Sequence, residues 1–96
     1  MGILDIFKRK KGGDEAARRD LLLRTGRIAD GSIFDVITDE AGDITQVFYN
    51  YEINGVEYES SQLLDADQRR RSADYFPGAH VTVRFNPRQP GNSVVV

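Results

Sequence analysis

Cysteine is absent from this 96-residue chain, and histidine occurs once, at His80. The missing thiols exclude disulfides, thiolate metal sites and cysteine nucleophiles together, and they suit a reducing, cytoplasmic setting. No apolar run approaches the roughly 20 residues that span a bilayer. No secretory signal is read, because only Ile3-Leu4 and Ile6-Phe7 precede the basic run, whereas a signal peptide places its charges before a longer apolar stretch. His80 has no metal-binding partners around it in sequence, and no serine occupies a nucleophile elbow. Ser60, Ser61 and Ser93 read as strand and turn residues. The carboxylates fall on loops, turns and outward strand faces, whereas acid–base catalysis needs groups held in a cleft. No catalytic residue, metal ligand or cofactor site is assigned, and the expected protein is not an enzyme.

Charge is divided unevenly. Residues 1–27 hold eight basic and four acidic side chains, and residues 28–96 hold five basic and eleven acidic ones. The leading segment attracts phosphate and anionic surfaces, and the remainder repels them. A chain of this size makes one small domain with a thin core. The reading divides it into a basic leader and linker over residues 1–20 and a small β-barrel domain over residues 21–96.

Within the leader, Met1 to Lys11 has the pattern of a short amphipathic helix. At helical spacing Ile3, Leu4, Ile6 and Phe7 fall within an arc of about 160°, with Asp5 and Arg9 opposite. Lys8-Arg9-Lys10-Lys11 follows, and Gly12-Gly13 supplies a joint. This composition fits a segment lying in a membrane interface, with Ile3, Leu4, Ile6 and Phe7 inserted and Lys8, Arg9, Lys10 and Lys11 at anionic headgroups. Packing of the same apolar residues on the barrel is the competing reading. Met1-Gly2 opens no myristoylation signal, since Ile6 stands where Ser or Thr is needed. Asp14 is a candidate cap for a second helical stretch from Glu15 to Asp20. Leu21-Leu22-Leu23 belongs either to that stretch or to the first strand.

From Leu23 onward the pattern alternates. Gly26 to Ala29 and Ile33 to Thr38 read as two strands, or as one bent at Asp30-Gly31, and Asp39 to Asp43 is a polar loop. Asn54-Gly55 is the preferred dipeptide of a two-residue type I′ turn. That turn sets Ile53 against Val56, Tyr51 against Tyr58 and Tyr49 against Ser60, on one face with Val47. The opposite face carries Gln46, Phe48, Asn50, Glu52, Glu57 and Glu59, with Glu52 directly across from Glu57. Phe48, Glu52, Glu57 and Glu59 are thus candidates for docking a basic protein segment, with Phe48 as the apolar anchor. The same carboxylates oppose binding of nucleic acid.

Asp65 or Asp67 is read as the cap of a helix to about Tyr75, anchored by Leu64, Tyr75 and Phe76. It is crossed by the pairs Asp65–Arg69, Asp67–Arg71 and Arg70–Asp74, which give Arg69-Arg70-Arg71 a structural explanation. Pro77-Gly78 ends it. Ala79 to Phe85 is a strand with Val81, Val83 and Phe85 inward, Asn86 to Asn92 a proline-punctuated turn, and Val94 to Val96 a last short strand. The expected fold is mainly β, a five- to six-stranded, partly open barrel in OB-like order with one helix between the hairpin and the last two strands. An SH3-like roll is the alternative pairing.

These landmarks resemble the bacterial family called domain of unknown function 3592. The resemblance rests on Gly26-Arg-Ile28, Tyr49-Asn-Tyr51, Gly55-Val-Glu-Tyr58, and the run from Tyr75 through Pro77-Gly78, Val81-Thr-Val83-Arg-Phe85-Asn86-Pro87 and Pro90 to Ser93. It covers about residues 25–96. Asn86 departs from the family's usual Asp there and still makes the turn. The resemblance implies a membrane-proximal domain with no assigned activity, whose members usually carry transmembrane helices. It implies no catalytic residues.

Overall fold

The computed structural model describes residues 15–96. Helix α1 covers residues 15–25, so Leu21-Leu22-Leu23 is helical rather than the start of a strand. Strands β1 (Arg27–Thr38), β2 (Ile44–Ile53) and β3 (Val56–Leu63) follow. Then come helix α2 (Ala66–Arg70), a 3-10 turn (Ser72–Tyr75), and strands β4 (His80–Asn86) and β5 (Gln89–Val95). The order strand, strand, strand, helix, strand, strand is the one the sequence pattern predicts. All pairings are antiparallel, in the order β3-β2-β1-β4-β5. The two end strands curl toward one another and nearly close the barrel.

β1 is one continuous strand shared by both halves of the sheet. Its centre pairs with β2 on one side and β4 on the other. Gly31 sits at this crossing, where a Cβ would lie 2.7 Å from Val83 Cγ2 and 2.9 Å from the Asn50 carbonyl oxygen. Glycine here leaves room for the Val83 side chain on one side and the Asn50 backbone on the other. Beyond it the register slips between Ile33 and Asp35. The slip turns Phe34 and Asp35 both outward, leaving Ile33 buried and Val36 packed on the core. Such a bulge lets one strand serve two differently oriented partners.

The hairpin matches its turn chemistry. Asn54 and Gly55 have φ of 52° and 83°, as a type I′ turn requires. Ile53 pairs with Val56, Tyr51 with Tyr58 and Tyr49 with Ser60. Val47, Tyr49 and Tyr51 are buried. The three tyrosine rings stack in series, with centroids 5.9 Å apart for Tyr49–Tyr51 and 5.5 Å for Tyr51–Tyr58. Val56, which the turn register sets on the same face as Val47, is 52% exposed, because it follows the turn at the end of the hairpin and no strand covers it.

Three further expectations are corrected. The single helix to Tyr75 is a five-residue helix and a separate 3-10 turn. The tighter turn carries Tyr75 inward, where its hydroxyl donates to the Val96 carbonyl. Phe76, expected as an anchor, is 55% exposed at the turn that follows. The final strand begins at Gln89, not Val94, and the turn before it is confined to Pro87-Arg88. Pro90 is tolerated in β5 because an end strand does not need every N–H in a ladder, and its carbonyl accepts from the Tyr51 hydroxyl.

Candidate interaction surface

Polar groups inside the barrel are committed to holding it together. Tyr49 Oη and buried Ser93 Oγ are 2.7 Å apart. Ser93, read as a turn residue, therefore lies in β5 as the partner a buried phenol requires. The Val95 N–H donates to Gln62 Oε1 at 2.8 Å, and Gln62 Nε2 donates to the Val95 carbonyl at 3.2 Å. Gln68 Nε2 donates to the same carbonyl at 2.9 Å. Gln68 also completes a capping box with Asp65, which accepts from the Gln68 N–H while Gln68 Oε1 accepts from the Asp65 N–H. Neither glutamine was singled out in the sequence. The signals were present, since Gln62 holds an inward position of β3 and Asp65-x-x-Gln68 is a capping-box spacing. Burial pushes the Tyr51 phenol above its ordinary pKa.

Helix α1 lies across the seam between β3 and β5. Arg18 donates to Asn92 Oδ1 at 2.7 Å and to the Ser93 carbonyl at 3.0 Å. Arg19 donates to the Leu63 carbonyl and lies 3.8 Å from Asp65. Leu22 is buried beneath the helix. Hydrogen bonds from Arg18 hold the Glu15 carboxyl below the usual carboxylate range, outweighing its partial burial.

The outer face of β1–β3 resolves into rows about 7 Å apart. At one end Ile37 pairs with Gln46 and Gln46 with Leu63, and the next row holds Asp35, Phe48 and Ser61. Phe34 stands outward beside this row, its ring centroid 6.3 Å from that of Phe48. Phe34, Ile37 and Leu63 are exposed and Phe48 is half-buried. Phe48 is thus one member of an apolar patch rather than a lone ring among polar neighbours. Its partners were hidden because the bulge at Phe34 cannot be read from alternation.

Further along, Ser32, Asn50 and Glu59 form a third row, and Glu52 faces Glu57 in the fourth. All three glutamates are exposed. Asp30, Glu52, Glu57 and His80 line a shallow open groove there. Among the described residues no group of His, Asp and Glu is placed to hold a metal ion. Ile3, Leu4, Ile6, Phe7 and the Lys8–Lys11 run lie outside the described residues.

Arg69, Arg70 and Arg71 all have acidic partners, and of the three expected pairs Asp67–Arg71 forms. Arg71 lies 3.5 Å and Arg70 3.9 Å from Asp67, whereas Arg69 reaches across to Asp39 at 3.9 Å. Asp65–Arg69 and Arg70–Asp74 do not form. Asp65 is occupied as the cap, and Asp74 lies in the 3-10 turn, off the face of so short a helix.

The family model described as Domain of unknown function (DUF3592) matches residues 24–96. The chain belongs to this family. No curated protein and no solved structure matches it. In this family member the landmark residues serve the fold: Tyr49, Tyr51, Val83 and Phe85 are core, Gly55 makes the turn, and Ser93 supports Tyr49. Among the described residues no helix is long and apolar enough to cross a membrane.

Proposed function

We propose that this domain is a non-catalytic interaction module, a small OB-like barrel whose working surface is the outer face of β1–β3. The observation that carries this reading is the division of that face into an apolar end, around Phe34 and Phe48, and an acidic end, around Glu52 and Glu57. Contiguous exposed apolar side chains mark interaction sites more often than scattered ones do. The buried hydroxyl and amide groups support the same reading, since Tyr49, Tyr51, Gln62, Gln68 and Ser93 all have structural partners. The acidic end disfavours nucleic acid and favours a basic protein segment.

In this reading the domain works at the cytoplasmic face of a membrane, held reversibly by its leader. Ile3, Leu4, Ile6 and Phe7 supply insertion, and each of the four adjacent cations adds about 1 kcal/mol near an anionic surface. The test is cosedimentation with vesicles of phosphatidylcholine mixed with phosphatidylserine, against phosphatidylcholine alone. Binding to the anionic vesicles, weak binding to the neutral ones and loss on Phe7→Glu are expected. Equal binding to both, or none, discards the attachment. The second reading is a soluble adaptor, favoured by the Phe34–Phe48 contact alone; it ignores vesicles and loses its protein partner on Phe48→Ala.

A further inference from the structure

We infer that the basic segment docking on the outer face of β1–β3 is the chain's own leader, residues 3–11. The inference rests on the reading of that face as an interaction surface and names its occupant.

Three observations converge on it. The first is position. Arg19 donates to the carbonyl of Leu63, so this part of α1 lies beside the strand end that opens the apolar patch. Glu15 is one helical turn back from Arg19, about 6 Å. The three residues between Lys11 and Glu15 span about 10 Å when extended. The leader is thus tethered next to the patch, at high effective concentration.

The second is apolar match. Phe34, Ile37, Phe48 and Leu63 occupy two adjacent rows, and the leader carries its own four apolar side chains within five residues, Ile3 to Phe7. Each set exposes hydrocarbon that the other can cover.

The third is charge, and it sets the direction. Beyond the Ile37 row the chain enters the exposed loop with Asp39, Glu40 and Asp43, and Asp35 lies in the Phe48 row. Asp39 already faces Arg69; the other three carboxylates have no salt-bridge partner among the described residues. Lys8–Lys11 lies between the tether and the apolar residues in sequence. With Ile3–Phe7 on the patch, the cations come against this acidic rim. The same four apolar side chains serve a bilayer and the patch, so the two seats exclude each other. Membrane binding would then uncover the face for a second partner.

The absence of native cysteine makes the test direct. In the full chain, Gly2→Cys takes a single nitroxide label, and backbone amide signals are compared with the label oxidised and reduced. Expected without lipid is loss of signal at Ile37, Phe48 and Leu63, with Arg84 in β4 and Arg88 in the turn after it intact. Phe48→Glu should restore the lost signals, and so should Lys10→Glu with Lys11→Glu, which alters no described residue. Signals intact throughout, or weakened evenly over the barrel, overturn the inference. So does loss that appears between labelled and unlabelled chains in a mixture, since that assigns the contact to a second copy. Anionic vesicles added afterwards should release the signals. Vesicle binding without prior docking refutes this inference alone, and docking without vesicle binding refutes only the membrane reading.

Discussion

The side-chain amide of Gln62 stands in for a missing strand contact at Val95. It accepts from the Val95 N–H at 2.8 Å and donates to the Val95 carbonyl at 3.2 Å. β3 and β5 end the sheet and share no ladder, so this amide gives the Val95 N–H its partner and shares the Val95 carbonyl with Gln68.

Replacing Gln62 by Leu removes both bonds while keeping the volume similar. The expected loss is about 1–3 kcal/mol, the cost of a buried polar group left unpaired. Urea unfolding measures it. Hydrogen exchange at Val95 should accelerate more than at Val83, which a general loosening would not produce.

Gly31→Ala should destabilise by about 1–3 kcal/mol through overpacking. The added methyl meets the Asn50 carbonyl oxygen at 2.9 Å, and that atom belongs to backbone which cannot swing aside. A midpoint of unfolding equal to that of the unaltered chain would refute the tight packing of Gly31 against Asn50 and Val83.

Glu52 and Glu57 face each other on the outer surface. Glu57→Lys replaces a like-charge pair by an attractive one and should stabilise by about 0.2–1 kcal/mol. The gain should shrink as salt is raised, because exposed charges are screened. A salt-independent gain would point to a different cause.

The Glu15–Arg18 contact should make docking of α1 sensitive to acid. Arg18 lowers the folded pKa of Glu15 below its unfolded value. The carboxylate therefore contributes stability above the ordinary Glu pKa of about 4.3, and this is lost as pH falls through the depressed folded value. Both side chains are partly exposed, so the size is on the order of a few tenths of a kcal/mol. Measured against Glu15→Gln, the advantage of the native residue should disappear on acidification. An advantage that persists at low pH would show that packing, not charge, holds the helix.

Much of the barrel was legible because its signals are local. Asn54-Gly55 names its turn through the positive φ both positions need, and a two-residue loop leaves one register, so the Tyr51–Tyr58 and Glu52–Glu57 pairs followed. Val83 and Phe85 as inward residues were equally readable, and the helix cap was narrowed to Asp65 or Asp67. The end of α2 was not, because its length depends on how Tyr75 reaches the core. Nor was the start of β5, since Pro90 and Gly91 argue against a strand until an end position excuses them. On the candidate surface, Phe48, Glu52, Glu57 and Glu59 came from alternation. Phe34, Ile37 and Leu63 joined them only once the bulge and the strand neighbours were known.

The amino-acid order alone determined which residues alternate, where the chain reverses, and that the leader and the domain carry opposite charge. Each of these is set within a few residues by dihedral preference or by count. Tertiary structure decided which strand edges meet, that Gln62 closes the seam, that Arg69 answers Asp39, and that Phe34 lies beside Phe48. Those contacts join groups distant in sequence or displaced by the bulge, and their positions follow from the packing of all five strands at once.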